Sequence, residues 1–169
     1  MTRKLILMRH AKSGWDDPTL SDKERTLTPR GRRSAKAIGN WLREKGHKPD
    51  LALISGSQRT RETWELLNLS CAHDFLDALY HAPPDRIETI VQNRGGNART
   101  ILVIAHNPGI GSYASDLCPD NREYDFLRYP TGATAVFDLK INSWNTFASG
   151  DITDVGFVAP RSLIPDQQS

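Results

Sequence analysis

The sequence predicts a layered α/β fold in a single domain. Short, continuous apolar runs alternate along the chain with segments of helical periodicity, which is typical of strands buried between helices. The length of 169 residues is enough for one domain with a real core, and no composition shift or repeat indicates a second. We therefore assign residues 1–164 to one domain and residues 165–169 to a flexible tail.

The composition is that of a soluble globular protein, with 38% hydrophobic and 25% charged residues. The net charge of +2 gives no case for nucleic-acid binding, which needs a large face of one sign. Only four apolar residues follow Arg3 and Lys4 before Arg9, too few for a signal peptide or a membrane span, so a cytoplasmic location is expected. Cys71 and Cys118 form neither a disulfide framework nor a zinc site and are predicted to be reduced core residues.

The first third of the chain contains a strand, a loop and a helix. Residues 5–8 form a short apolar run that predicts a buried strand, and a loop follows at residues 14–18. The polar segment 21–26 is expected to cross the exit of that strand. Thr28 and the proline after it predict the start of a helix that ends near Lys45, before Gly46. The basic residues of this helix are interpreted as a solvated face rather than a docking patch for an acidic partner; they are Arg30, Arg32, Arg33 and Lys36.

The remaining elements continue the alternation. Ser57 is a predicted helix cap, and the run at residues 100–105 is the strongest candidate for a central, parallel strand. Strands are also predicted at 51–55 and 134–139, helices at 58–67, 84–91 and 110–117, an edge strand or turn at 75–80, and edge strands or extended pieces at 144–147 and 155–158.

Basic residues follow three of the predicted strands directly. Arg9 and His10 end the first strand, Arg59 follows the second, and His106 follows the strand at 100–105. If these strands are parallel neighbours, the four side chains converge at one sheet edge, where open α/β sheets bind ligands. A guanidinium donates two parallel hydrogen bonds to phosphate oxygens, and a neutral imidazole can attack phosphorus. Two alternatives remain: His106 could serve only its turn, and either Arg59 or Arg61 is a solvated charge, because residues two apart do not share a helix face.

Three segments resemble motifs of the histidine phosphatase (phosphoglycerate mutase-like) superfamily. Residues 9–11 resemble its Arg-His-Gly signature, residues 55–63 its Ser-x-x-x-Arg-x-x-x-Thr segment, and residues 105–109 its Gly-His-Asn-Pro-Gly segment. Ala11 with Lys12-Ser13, the short length, and the pattern Arg25-x-Leu27-x-x-x-Gly31 are similar to the small SixA-type branch, which is associated with phosphohistidine phosphatase activity.

The resemblance implies a histidine phosphatase domain over residues 1–164, with three layers and a mostly parallel central sheet between helices. It implies that His10 is the phosphorylated nucleophile, that Arg9, Arg59 and His106 form the phosphate pocket, and that no metal or organic cofactor is used. Lys12 and Arg25 are further candidates for phosphate or substrate binding. No helical subdomain is inserted between the second and third strands, so an open pocket suited to a protein-borne phosphate is expected.

The general acid is not assigned by the sequence. His81 is a candidate, although a surface-loop histidine is the alternative, and Asp16, Asp17 and Asp22 are others in the loop beside the site. An imidazole leaving group needs no strong acid, because it is protonated near neutral pH. The leading hypothesis is a phosphatase acting on phosphohistidine in a protein. The alternatives are a phosphomonoesterase or phosphoanhydride hydrolase on a small metabolite, and a phosphate-binding module without turnover. The oligomeric state is not predicted.

Overall fold

A central sheet of six strands organises the chain. A computed structural model describes residues 2–118 and 126–165. In this part of the chain the strands lie in the order β3-β2-β4-β1-β5-β6. Their bounds are Thr2–Arg9 (β1), Leu51–Ser55 (β2), Ala72–Leu76 (β3), Thr100–Ala105 (β4), Thr134–Lys140 (β5) and Ile152–Val158 (β6).

Helices cover the sheet, and the first two begin at the caps that the sequence predicts. The Thr28 side chain accepts a hydrogen bond from the Gly31 amide, and Ser57 accepts one from Thr60, which satisfies amides that have no partner inside the helix. The first helix ends before Gly46, whose φ of 74° is favourable only for glycine. The helices are Pro29–Glu44 (α1), Gln58–Leu67 (α2), Pro84–Arg94 (α3), Gly109–Leu117 (α4) and Pro160–Leu163 (α5).

Both faces of the sheet are buried, which explains the continuous apolar run of β1. Leu5 and Leu7 point into the core that contains the residues of α3 and α4. Ile6 and Met8 point to the opposite face and pack with residues of α1 and α2. A strand covered on both sides has no reason to alternate apolar and polar residues.

The sheet is mixed, so the expectation of a mostly parallel sheet is wrong. Strand β1 pairs in parallel with β4, and β2 pairs in parallel with β4 and β3, but β5 is antiparallel to both β1 and β6. Strand β5 is antiparallel to β1 because the connection before β5 brings the chain back to the edge where β1 ends. There the Gly132 amide donates to the carbonyls of Arg9 and His10, so β5 starts beside that edge and runs away from it.

The short elements of the second half differ in detail from the sequence predictions. The segment Trp144–Thr146 is a 3₁₀ turn rather than a strand, with Trp144 buried in the core. The predicted edge strand near residue 155 is confirmed as β6. Residues 75–80 divide between the end of β3 and a 3₁₀ turn at Asp77–Leu79.

The remaining predictions concern the cysteines, the tail and the location of the protein. Cys118 is buried and Cys71 half-buried, and within residues 2–118 and 126–165 neither forms a disulfide. No helix in residues 2–118 and 126–165 is long and apolar enough to cross a membrane. Residues 166–169 of the predicted tail lie outside the described residues. The domain bounds and the cytoplasmic location stay predictions.

Candidate active site

The three strand ends with basic residues meet at one edge of the sheet. Strand β4 lies between β1 and β2 and is parallel to both, and Arg9 is in register with Ala105. The carboxyl ends of parallel neighbours share an edge, so the side chains that follow them converge. They line a cavity of about 310 Å³, which we call the anion pocket. Its lining residues are Arg9, His10, Lys12, Ser13, Trp15, Asp22, Arg25, Arg59, His81, His106, Asn107 and Thr131.

His10 is buried and is held in a single tautomer. Its Nδ1 lies 2.7 Å from the carbonyl oxygen of Ala11; a carbonyl only accepts, so Nδ1 carries the hydrogen and Nε2 keeps its lone pair. Burial lowers the pKa of His10 to about 3, with further lowering by the charges of Arg59 and Arg9, against the Ala11 contact that raises it. The imidazole is therefore neutral at physiological pH and presents one unprotonated nitrogen.

The backbone around His10 is fixed from both sides. The His10 amide donates to the Ala105 carbonyl at 3.1 Å. The Ala11 amide donates to the hydroxyl of Thr63, which in turn donates to the Arg59 carbonyl one helical turn earlier. The Arg-x-x-x-Thr spacing on α2 therefore connects the loop after β1 to the helix that carries Arg59.

Arg59 and His106 form a buried pair in the pocket. Arg59 Nη2 lies 3.3 Å from His106 Nδ1, and because a guanidinium only donates, this nitrogen accepts. The other ring nitrogen, Nε2, then carries the hydrogen and donates to Ser55 Oγ at 2.7 Å. Burial lowers the pKa of His106 to about 2, and the neighbouring His10 and Arg59 lower it further. His106 is thus a fixed part of the pocket rather than a residue that serves only its turn.

Arg9 is held by the loop that precedes β5. Its Nη1 donates to the Tyr129 carbonyl at 3.0 Å, and the same carbonyl accepts from Asn107 Nδ2 at 2.8 Å. The Tyr129 hydroxyl donates to the Leu7 carbonyl and accepts from the Ala135 amide. Tyr129 and Asn107 received no role from the sequence, because their contacts join segments that are far apart in the chain.

Asp22 is the one carboxylate among the described residues that line the pocket, and only a weak signal in the sequence pointed to it. Its Oδ2 accepts from the Tyr80 hydroxyl, from Arg59 Nη2 at 3.1 Å and from His81 Nε2 at 3.2 Å, while Oδ1 accepts from Arg25. Partial burial acts to raise the pKa of Asp22, but the hydrogen bonds from Tyr80 and Arg59 and the charge of Arg59 outweigh it and hold the pKa well below its ordinary value. The signal in the sequence was the predicted crossing of the strand exit by residues 21–26.

Lys12 and Arg25, the further candidates for phosphate or substrate binding, also line the anion pocket. Arg25 donates to Ser13 Oγ at 3.1 Å and forms an ion pair with Asp22. Its guanidinium carbon lies 3.7 Å from the ring centroid of Trp15. With Arg9 and Arg59, the lining holds four cationic side chains against one carboxylate, so it attracts anions.

The structure also separates the remaining candidates. Arg61 lies outside the anion pocket: it is exposed, stacks on Phe75 and donates to the Gly56 carbonyl. Asp16 and Asp17 are exposed and do not line the pocket. His81 does line it, with its side chain half exposed.

A larger cavity of about 530 Å³ lies between α3, α4 and the segment after Trp144. Its lining includes Asp85, Glu88 and Asp116, and three carboxylates repel a phosphate. Within the described residues no group of three His, Cys, Asp or Glu side chains is placed to hold a metal ion.

Comparison with known proteins identifies the superfamily of this chain. The histidine phosphatase superfamily (branch 1) model matches residues 5–79. An uncharacterised protein of Mycobacterium tuberculosis is 31% identical over 160 residues, which cover 91% of this chain and the whole of that protein. The chain belongs to the histidine phosphatase superfamily and is an enzyme of the phosphatase type.

Within the superfamily, solved SixA structures are similar to this chain. A SixA protein from Nakamurella multipartitia is 30% identical, with a TM-score of 0.78 over 92% of this chain and 96% of that one. The protein histidine phosphatase SixA in complex with tungstate is 25% identical, with a TM-score of 0.76 over 95% of this chain and 99% of that one.

Proposed function

We propose that the chain removes a phosphoryl group through a covalent intermediate on His10 and that its substrate is phosphohistidine in a protein. The observation that carries this proposal is the state of His10: a buried, neutral imidazole whose Nδ1–H is bound to the Ala11 carbonyl. Its free Nε2 lies in a pocket lined by arginines. An unprotonated ring nitrogen is the nucleophilic form of histidine.

Arg9 and Arg59 donate to the phosphoryl group in this proposal, His106 orients Arg59 through its Nδ1, and Lys12 and Arg25 complete the cationic lining. The guanidiniums of Arg9 and Arg59 line the pocket, and a tetrahedral oxyanion accepts charge-assisted hydrogen bonds from such groups. Tungstate is an oxyanion of this kind, and a SixA relative binds it. The cations stabilise charge on the transferring group.

The reaction proceeds in two steps. Nε2 of His10 forms a bond to phosphorus while the bond from phosphorus to the leaving nitrogen breaks, and that electron pair stays on the leaving ring. A ring that carries a proton on its second nitrogen departs as neutral imidazole. Water then attacks phosphorus, the bond to Nε2 breaks, and the electron pair returns to His10. The water oxygen keeps one proton as phosphate hydroxyl, and the other passes to solvent.

The ionised state of Asp22 favours a substrate whose leaving group needs no strong acid. Because its pKa is held low by Tyr80 and Arg59, despite the opposing effect of partial burial, Asp22 is ionised and has no proton to donate. An alkoxide leaving group requires a proton in the transition state, whereas an imidazole does not. The open mouth of the pocket suits a phosphate carried by a protein better than an enclosed metabolite.

The direct test is detection of phosphate on His10. The enzyme is mixed with a phosphohistidine peptide, quenched in alkali to protect the phosphorus–nitrogen bond, and analysed by mass spectrometry. We expect a phosphorylated peptide that contains His10, and His10→Ala should lose both this species and turnover of an aryl phosphate. Wild-type turnover in the variant, or phosphate on another residue, would contradict the assignment of the nucleophile.

A phosphomonoesterase acting on a small metabolite is the second candidate, and the contact between His81 and Asp22 favours it. His81 lines the pocket and its Nε2 donates to Asp22 Oδ2 at 3.2 Å, so the lining holds an imidazole N–H that can donate to an alkoxide. A panel of phosphohistidine peptide, sugar phosphates and nucleotides separates the candidates by kcat/KM. Loss of sugar-phosphate turnover in His81→Ala would identify His81 as the acid of that second activity.

A further inference from the structure

Trp15 is a large apolar side chain in an unusual position. Its side chain is 69% exposed, whereas Trp64 and Trp144 are buried and Trp41 is half-buried. One exposed apolar residue is ordinary on a protein surface. Trp15 differs because its exposed ring lines the anion pocket beside His10 and Arg59.

The indole of Trp15 is stacked on one side. The guanidinium carbon of Arg25 lies 3.7 Å from the ring centroid. Arg25 is itself fixed, because it donates to Ser13 Oγ and pairs with Asp22, and only 11% of its side chain is exposed. A stacked arginine orients an indole and leaves the opposite face of the ring free for another group.

The backbone before Trp15 is also anchored. Ser13 forms a β-bridge with Leu27, and the Gly14 amide donates to the Thr26 carbonyl at 3.2 Å. The Thr28 amide donates to the Lys12 carbonyl, which ties the same loop to the start of α1. The ring of Trp15 is therefore presented directly after a segment with defined contacts, which reduces the ordering needed when a ligand binds.

The direction of the leaving group follows from in-line transfer. In phosphoryl transfer the attacking and leaving atoms lie on opposite sides of phosphorus. His10 is only 5% exposed and attacks from the floor of the pocket. The leaving group must then point away from His10, toward the exposed part of the lining, to which Trp15 belongs.

We propose that Trp15 binds the leaving group of the substrate by stacking on its planar ring, so that phosphorus attached to an imidazole is preferred over phosphorus attached to a group without a ring. This inference rests on the proposed function and adds a residue that selects the substrate. A flat ring stacks on an indole face, and a protonated imidazole gains a cation–π attraction in addition. A small or aliphatic leaving group gains neither interaction.

The test compares two substrates with the same kind of reacting bond. Phosphohistidine and phosphoramidate both contain a phosphorus–nitrogen bond, but only phosphohistidine carries a ring. In Trp15→Ala we expect kcat/KM for phosphohistidine to fall ~10-fold further than kcat/KM for phosphoramidate, mainly through KM, as for the loss of one stacking contact. Trp15→Phe should recover most of the ratio between the substrates. The matched control is Asp16→Ala, the exposed neighbour outside the pocket lining, which should keep the wild-type ratio.

Further substrates decide which part of the bound molecule the Trp15 ring contacts. Phosphohistidine is supplied as the free amino acid and within an intact peptide, and Trp15→Ala should impair both. If Trp15→Ala keeps the ratio of kcat/KM for phosphohistidine to kcat/KM for phosphoramidate within ~2-fold of wild type, the proposal is overturned. A loss of kcat/KM that is confined to the peptide substrate overturns it too, since Trp15 would then contact the polypeptide. If the wild type forms phospho-His10 from an aryl phosphate but ignores phosphohistidine, the proposed substrate fails. The ratio of aryl phosphate to phosphoramidate turnover then tests Trp15 by itself.

Discussion

The chemistry of His10 is decided by three kinds of neighbour. The Ala11 carbonyl selects the tautomer, burial removes the solvent that would stabilise a charge, and the nearby arginines oppose protonation. Burial and the arginines lower the pKa of His10, the Ala11 contact raises it, and the lowering prevails, so the ring is neutral with a free Nε2. The same arginines attract the phosphate that this nitrogen attacks in the proposed reaction, so the groups that suppress protonation also concentrate the substrate.

Arg59 and Arg61 provide a matched pair of guanidiniums on one helix. Arg59 is 2% exposed in the pocket and contacts Asp22 and His106, whereas Arg61 stacks on Phe75 at the surface. We expect Arg59→Ala to lower kcat/KM for an aryl phosphate by at least ~10²-fold, because a charge-assisted contact to the transferring group is lost.

The control for this measurement is Arg61→Ala, which should stay within ~2-fold of wild type, as for an exposed residue outside the site. Steady-state kinetics on both variants, with circular dichroism to verify folding, check the prediction. Equal losses in the two variants would refute the assignment of Arg59 to the phosphate.

The loop after β1 is placed by its contact with the first turn of α1. A Cβ added at Gly31 would lie 2.1 Å from the Lys12 carbonyl oxygen, and this carbonyl also accepts from the Thr28 amide. The glycine of the Arg25-x-Leu27-x-x-x-Gly31 pattern therefore allows the helix to approach the backbone that leads from His10 to Trp15.

Gly31→Ala should disturb both stability and activity, because the added methyl meets backbone rather than a flexible side chain. We expect the free energy of unfolding to fall by about 1–3 kcal/mol, the usual cost of overpacking, together with a loss of kcat/KM. Urea denaturation and kinetics measure the two effects. Gly150→Ala is the matched control, because a Cβ there meets nothing within 4 Å, and its stability should change by less than about 0.5 kcal/mol. Equal stability of the two variants would argue against the close contact.

Over the whole molecule, the buried histidines link folding to pH. His10 and His106 have pKa values lowered to about 3 and about 2, in both cases first by burial. In the unfolded chain they titrate near about 6.5. Below that pH the unfolded state binds protons that the folded state does not, so stability falls as the pH decreases. Asp22 affects stability in a lower pH range. Its pKa is depressed in the folded state, so the stability that it contributes is lost only as the pH falls below its unfolded pKa of about 3.9.

The free energy of unfolding should therefore decrease between about pH 6.5 and about pH 5 by up to about 2 kcal/mol for each of these histidines. Urea titrations at several pH values measure the slope. The double variant His10→Gln and His106→Gln should lose most of it, while His47, whose pKa burial and Lys4 also lower, leaves a smaller slope. A wild-type stability that is independent of pH in this window would contradict the neutral state of the two rings.

Local patterns in the amino-acid sequence predict most of the elements and the candidate site residues. Continuous apolar runs identify β1, β2 and β4, because strands covered on both faces need apolar residues throughout. The caps Thr28 and Ser57 locate two helix starts, because a cap bonds an amide within its own turn. Arg9, His10, Arg59 and His106 were found because parallel strands present their ends at a common edge.

The direction of β5 and the protonation states and neighbours of the site residues follow from contacts between distant segments, which no local sequence pattern encodes. The direction of β5 follows from where the chain returns after α4, and no local pattern records that path. Partners 37 to 58 residues away decide three features of the site. They place Arg59 rather than Arg61 in the pocket, keep Asp22 ionised and set the tautomer of His106. The stack of Arg25 on Trp15 depends on the pairing of Ser13 with Leu27. Local physics sets which elements form, and the packing of those elements sets the protonation state and the neighbours of each side chain.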